Sequence, residues 1–351
     1  MRSVIVSVLL VVGSIAFALL LGEGACRLAG YRGLEKYRPD RELGWVIEPG
    51  QSTITRVGHL PVRINDEGFR DDPVEQAKPP AVVRIFALGG SSTFGWGVRE
   101  RDTYQQVLER MLNDSARVAG ARTRFEVVNG GVIGYNLWQV AHSMRRITQR
   151  YQPDGFLVAY TFNDGWNPVG HLTEQELDRV LAGVRRKNLL RSSALFNWLI
   201  ELRARRLAER AGRGVDDDLA TAQTGDTSAT AAELAAYRAT LDSMAALAKG
   251  AHLSLAFTLL AAKGQHHPWP RQVAMADAAR EAHVPQADLI PVFGAADADS
   301  VYLPADAVHP SPLGHEVIAR RMYVTLCAAV RAAPANDPVT IYRPGCGVTP
   351  R

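Results

Sequence analysis

The sequence predicts a three-layer α/β/α fold around a parallel five-stranded sheet, preceded by one amino-terminal transmembrane helix. Three observations carry this reading. An uncharged apolar run, Val4 to Leu21, opens the chain. Short apolar segments ending in Gly or Asn then alternate with longer segments of helical period. Most of the glycine-rich and polar motifs sit at the ends of the predicted strands. Strands alternating with helices form parallel sheets covered on both faces. Such sheets bind ligands beyond the carboxyl ends of their strands.

The 351 residues include 40 Lys and Arg against 36 Asp and Glu, a net charge of +4. No tract concentrates the basic residues, so nothing points to a nucleic-acid partner. Apolar residues at 47% and charged residues at 22% suit a chain that buries a real core. Collagen-like, disordered and small disulfide-scaffold classes are excluded. A single long apolar run also excludes a multi-span transporter.

As a helix, Val4 to Leu21 spans roughly 27 Å, about the thickness of a bilayer core. It lacks the polar face that a core helix normally shows. It is longer than a usual signal-peptide apolar region. Gly22 and Gly24 are small enough for a cleavage site, but Glu23 is awkward there. No leucine stands three residues before Cys26, which argues against a lipoprotein anchor. We therefore expect an uncleaved anchor over residues 1–25. Arg27, Arg32, Lys36, Arg38 and Arg41 follow the run and only Arg2 precedes it, a balance that would place the bulk of the chain in the cytoplasm. Cys327 and Cys346 either pair in an oxidising compartment or remain thiols.

Residues 26–80 form a lead-in segment of short extended pieces, at 44–47 and 62–65, punctuated by Gly and Pro. Val82 to Leu88 is an apolar run ending in Gly89-Gly90, a buried strand. Helical spacing of Tyr104, Val107, Leu108 and Leu112 predicts a helix over 102–114. Strands follow at 125–129 and 155–162, around a helix at 136–150. An Ala-rich helix at 230–249, a strand at 252–261, a helix at 270–283 and a fifth strand at 289–293 come next. A helix from 312 to 332 closes the domain, assigned to 81–333, with a tail at 334–351. The stretch 206–229 is rich in Gly, Ala, Asp, Thr and Ser and reads as a mobile insertion.

Four places carry candidate chemistry. Gly89-Gly90-Ser91-Ser92 follows the first strand, where a serine exposes its hydroxyl and backbone N–H. No Lys follows at Walker spacing, which argues against a phosphate loop. Asn129 to Tyr135, with Gly130, Gly131 and Gly134, follows the second strand, and glycine lets a backbone N–H approach a bound atom. Asn163-Asp164 follows the third, and an Asn amide donates without ionising. Finally, Asp306 precedes His309 by three residues, so that the acid can accept the Nδ1 proton and leave Nε2 as a base. Together these supply a nucleophile, oxyanion donors, a base and an orienting acid, the parts of acyl transfer. His266-His267 is an adjacent pair whose rings point apart, with no carboxylate close in sequence. No metal or other cofactor is expected. Trp96, Trp138, Trp166 and Trp269 are candidates for a sugar or lipid site, with core packing the expectation for at least half.

On these residues the sequence resembles the SGNH hydrolases, also called GDSL esterases. Ser91 matches the family's nucleophile block, and Gly134, in the Asn-x-Gly-x-x-Gly pattern from Asn129, its second block. Asn163 matches the third, and Asp306 with His309 the last. The resemblance covers about residues 82–330. Ile64 to Arg70 also looks like a lead-in of membrane-anchored bacterial members. Two positions depart: Gly90 stands where the family has Asp, and Thr161 where it has Gly. The resemblance implies a flavodoxin-like sheet and a serine esterase with the triad Ser91, His309, Asp306. It implies an oxyanion hole from Ser91, Gly134 and Asn163. An acylated small molecule, glycan or lipid is the expected substrate. The same acyl-serine would serve an O-acyltransferase, and a decayed, membrane-tethered glycan-binding protein is the non-enzymatic alternative. The resemblance and the possible Cys327–Cys346 pair favour a single-pass inner-membrane protein with an extracytoplasmic domain, against the basic flank.

Overall fold

The computed structural model describes residues 2–55, 59–211, 226, 228–295, 298–304 and 306–347. Helix α1 (Arg2–Leu28) stands apart from the core, with its apolar side chains from Val4 to Leu21 exposed. Among the described residues it is the one helix long and apolar enough to cross a membrane.

Two antiparallel hairpins follow. Strands β1 (Tyr37–Asp40) and β2 (Gly44–Ile47) pair, as do β3 (Ser52–Ile54) and β4 (Pro61–Arg63). The Asp40 carboxylate closes the first turn by accepting the N–H groups of Glu42 and Leu43. Asn65 then builds a tight turn, its side-chain oxygen accepting from the N–H of Glu67 and Phe69. That turn sends Arg70 and Asp71 into the interior.

The main sheet comprises β5 (Val82–Leu88), β6 (Arg124–Asn129), β7 (Gly155–Ala159), β8 (Ser254–Leu259) and β9 (Gln286–Asp288). Its order is β6-β5-β7-β8-β9 and every pairing is parallel. The run Ile85 to Leu88 and all of Phe156 to Ala159 are buried, as a strand covered on both faces requires. The short helix α2 (Ser91–Phe94) leaves β5, and α3 (Tyr104–Val118) connects it to β6. Helix α4 (Leu137–Arg150) leads to β7. Helices α5 (Glu174–Arg191), α6 (Ala194–Ala211) and α7 (Ala231–Gly250) lie between β7 and β8. Helix α8 (Pro270–Glu281) precedes β9, and α9 (Ile290–Ala295), α10 (Ala298–Val301) and α11 (Pro312–Ala332) complete the order. Helices α3 and α11 pack together, and α4, α7 and α8 form a second layer, giving three layers in all.

One strand assignment is corrected. The run 289–293 is not the fifth strand: β9 occupies Gln286–Asp288, and Ile290–Ala295 is helical. A short apolar run does not distinguish strand from helix. Pro291 fits a first helical turn and cannot donate to a ladder, and the Asp288 carboxylate accepts the Ile290 N–H at 2.9 Å. Of the insertion expected at 206–229, residues up to Ala211 continue α6, while 212–225 and 227 lie outside the described residues. The tail does not trail away. Residues Pro338–Cys346 form a 3-10 segment against α3 and α11, with Tyr342 fully buried. Cys346 is disulfide-bonded to Cys327 on α11.

Candidate active site

The strand order reverses its winding between β5 and β7, and a crevice opens there beyond their carboxyl ends. Ser91 is the first residue of α2, directly beyond β5. At that position its own N–H lies among the donors a helix start leaves unused. Its neighbour Ser92 donates its hydroxyl to the Val308 carbonyl at 2.9 Å, tying the serine turn to the histidine loop. That loop is further pinned by Leu303 N–H to the His309 carbonyl at 3.0 Å and Lys263 N–H to the Ala307 carbonyl at 2.7 Å.

The three side chains of the serine–histidine–acid line are in contact. His309 Nε2 lies 2.7 Å from Ser91 Oγ. His309 Nδ1 lies 2.7 Å from Asp306 Oδ2. Asp306 Oδ1 accepts the backbone N–H groups of Val308 and His309, both at 2.9 Å. Burial works against the charge of Asp306. The His309 ring N–H and these backbone donors outweigh it and hold the carboxyl below its ordinary range. The acid is therefore ionised at neutral pH and fixes the ring with Nε2 toward Ser91.

Two further donors face the same cleft. Asn163 gives one amide N–H to the Tyr135 carbonyl at 2.8 Å, which sets its rotamer and leaves the second N–H. Gly134 has φ +83, a backbone that side chains rarely adopt, and a Cβ there would lie 3.2 Å from Trp45 Cζ2. The carbonyl of Gly134 is held by Asn167 Nδ2 at 2.7 Å, which fixes the peptide plane of this turn. Ser91, Gly134, Asn163 and His309 all line one cleft of about 330 Å³, with Trp96, Ile133, Phe162 and Trp166 among its walls. Asp306 stands behind His309. The structure thus brings the five sequence-predicted residues together.

Both departures from the family pattern have local explanations. A Cβ on Gly90 would sit 3.0 Å from Asn163 Nδ2, so a bare backbone there lets the amide approach the serine turn. The Thr161 hydroxyl donates to Asp164, whose other oxygen accepts the first N–H of α4, from Leu137, at 2.9 Å.

Supporting residues outside the motifs also matter. The Arg70 guanidinium is fully buried, lies 5.0 Å from the Phe94 ring, and donates to the carbonyls of Phe94 (2.9 Å), Gly95 (2.5 Å) and Val98 (2.7 Å). It grips the loop that leaves the serine turn. Asn167 and Trp45 were not legible as site residues, whereas Arg70 falls in the lead-in motif already singled out. Trp45 Nε1 donates to the Ile133 carbonyl at 3.2 Å, and the Tyr135 hydroxyl to the Trp45 carbonyl at 2.6 Å. His315 lies on α11, as its sequence position suggests, and takes the Tyr104 N–H on Nδ1 at 3.2 Å. Burial, with the charges of Arg70 and His309 behind it, pushes its pKa down to about 3. It is a neutral core histidine. Trp269 is also core, edge-on to Phe162.

No family model matches the sequence, and no curated protein matches it. Solved structures do resemble the chain. TesA is 12% identical with a TM-score of 0.41, over 70% of this chain and 99% of that one. A putative GDSL-like lipase from Parabacteroides merdae is 14% identical with a TM-score of 0.43, over 72% and 98%. An acetylxylan esterase from Geobacillus stearothermophilus is 14% identical with a TM-score of 0.42, over 71% and 95%.

Proposed function

We propose that the protein is a membrane-anchored serine esterase of the SGNH type, acting on an acyl or O-acetyl ester of a glycan or lipid. The observation that carries this reading is the unbroken line Ser91 Oγ, His309 Nε2, His309 Nδ1, Asp306 Oδ2, with both gaps at 2.7 Å. His309 takes the Ser91 proton as Oγ bonds to the ester carbonyl carbon. The N–H groups of Ser91 and Gly134 and the Asn163 amide receive the oxyanion. Collapse breaks the carbon–alkoxy bond, and His309 returns the proton to the departing alcohol. Water, deprotonated by His309, then attacks the acyl-serine and releases the carboxylic acid. Asp306 stabilises the imidazolium in both halves. An intact line of this kind speaks against a decayed binding protein.

Helix α1 is assigned as the anchor on the length and lack of charge of its run Val4 to Leu21. The Cys327–Cys346 disulfide favours an oxidising, extracytoplasmic side for the domain. Protease added to spheroplasts should degrade the domain, and full protection would refute that side.

The catalytic reading is tested on the full-length protein in detergent. A fluorophosphonate should label the Ser91 peptide alone, and hydrolysis of p-nitrophenyl acetate should fall by roughly 10⁶ in Ser91→Ala. Undiminished turnover in that variant would sink the assignment.

A further inference from the structure

The Gly134 N–H, one of the three oxyanion donors of the proposed mechanism, belongs to a tight turn. Val132 to Tyr135 is a β-turn, closed by the Tyr135 N–H on the Val132 carbonyl at 3.2 Å. Its third residue is Gly134, at φ +83, while Ile133 before it stays outside the left-handed region. That combination marks a type II turn. Types I and II share their end positions and differ in the central peptide, through changes of about 150° in one ψ and 170° in the next φ. Glycine in third place can adopt either form, so the turn by itself does not fix which way that peptide faces.

The central peptide here joins Ile133 to Gly134. The bond is trans, so the Ile133 carbonyl and the Gly134 N–H point to opposite sides of one plane. Whatever holds the carbonyl therefore aims the N–H. A flip to type I would turn the N–H away from the serine and bring a carbonyl oxygen to the side where the oxyanion forms. The group on that carbonyl is the Trp45 indole N–H, at 3.2 Å. An indole nitrogen only donates, so it suits the carbonyl and would meet the flipped N–H with no acceptor. Accepting this bond also polarises the N–H across the same peptide. Trp45 stands on β2, outside the walls of the catalytic cleft. Its own carbonyl takes the Tyr135 hydroxyl at 2.6 Å, and its ring lies 5.9 Å from that of Tyr135. Hairpin and turn thus clasp each other at two points. The neighbouring planes have other holders: Asn167 on the Gly134 carbonyl and Asn163 on that of Tyr135.

We propose that Trp45 is a positioning residue for the oxyanion hole: its indole N–H holds the Ile133–Gly134 peptide with the Gly134 N–H toward Ser91. This rests on the serine-esterase reading and adds to it a residue from the lead-in hairpin, upstream of the stretch that resembles the family.

The test uses full-length protein in detergent and p-nitrophenyl acetate. Trp45→Phe keeps a ring and loses the donor. It should lower kcat by roughly 10- to 100-fold, short of the 10²–10³ expected for an oxyanion donor lost outright. Acylation and deacylation pass through the same oxyanion, so both slow together and KM should stay within about twofold. Phenylboronic acid, whose tetrahedral adduct with Ser91 places an oxygen at the oxyanion position, should bind more weakly by a comparable factor. Arg146→Gln is the control for a loosened hairpin. It cuts the tie to Asp40 of β1 without touching Trp45 or the turn, and should lower the melting temperature with kcat unchanged. Benzothienylalanine in place of Trp45 keeps the shape and exchanges the N–H for sulfur. It should reproduce the loss, and it carries the test if Trp45→Phe does not fold. An unchanged kcat in the variants without the donor, a loss confined to KM, or an equal loss of kcat in Arg146→Gln overturns the role of Trp45 and leaves the esterase standing. A wild type that hydrolyses no ester and takes no fluorophosphonate removes the esterase reading, and the role of Trp45 with it.

Discussion

At the scale of single residues, the arrangement depends on groups too small to notice. Gly90 is one: its missing side chain lets Asn163 Nδ2 close on the serine turn. Placing there the Asp of the pattern that the sequence resembles should therefore disturb the arrangement. Gly90→Asp is expected to displace the Asn163 amide and lower kcat by roughly 10²–10³, the usual cost of one oxyanion donor. Steady-state kinetics on p-nitrophenyl acetate check this, and a rise in kcat would contradict it. Ser91 and Asn163 were legible as candidates because each follows a predicted strand, and Asp306 and His309 because their three-residue spacing is itself a local pattern. Asn167 was not, because it acts on the backbone carbonyl of Gly134, 33 positions earlier. No spacing rule reports a side chain that works through a distant peptide plane.

Between elements, two links join parts of the chain that the sequence separates. Asp71 ties the lead-in segment to β6, its carboxylate accepting the Asn129 N–H at 2.8 Å. Burial, helped by the nearby charges of Glu109 and Glu100, raises its pKa from 3.8 to about 7 against the pull of the backbone donors. A carboxyl whose folded pKa is raised favours the native state most below its unfolded value. That contribution is lost as pH rises from about 4 through about 7. Asp71→Asn carries no such titration. Relative to the variant, the wild type should lose unfolding free energy between pH 5 and pH 8, measured by urea denaturation at both. Equal slopes would count against the assigned pKa. The second link is the disulfide between α11 and the terminal 3-10 segment, closing a loop of 19 residues. Cys346→Ser should cost about 3 kcal/mol in the same assay, by the chain-entropy estimate. The fifth strand shows where pattern reading stops. Three residues at a sheet edge carry too little period to be told from the helix beside them.

For the molecule as a whole, helix α1 is coupled to the domain. Glu23, at the end of α1, accepts the N–H groups of Ala194 and Leu195, both at 3.0 Å, and the Ser193 hydroxyl at 2.7 Å. Helix α6 thus begins against α1, with Trp198 and Leu199 exposed on it. In nanodiscs of brominated phosphatidylcholine, part of the tryptophan fluorescence should be quenched, and Trp198→Phe should remove that part. Identical quenching in the variant would place α6 away from the lipid. The basic flank that opposed an extracytoplasmic domain is partly engaged: Arg27 pairs with Glu23 and Arg41 with Asp178. The near-neutral average of the sequence said nothing of this coupling, since Glu23 and its partners at the start of α6 lie about 170 positions apart.

The grip of Arg70 on the loop after Ser91 has a consequence for how such a protein is divided. The loop carbonyls of Phe94, Gly95 and Val98 share a donor that precedes β5, and Asp40 on β1 holds Arg146 of α4 through both its oxygens. A gene fusion or recombination breakpoint placed just before β5 would separate donor from acceptors and take this guanidinium away from all three carbonyls. The transplantable unit begins upstream of β1, and the hairpins between α1 and the sheet travel with Ser91, Asp306 and His309 as one inheritable block.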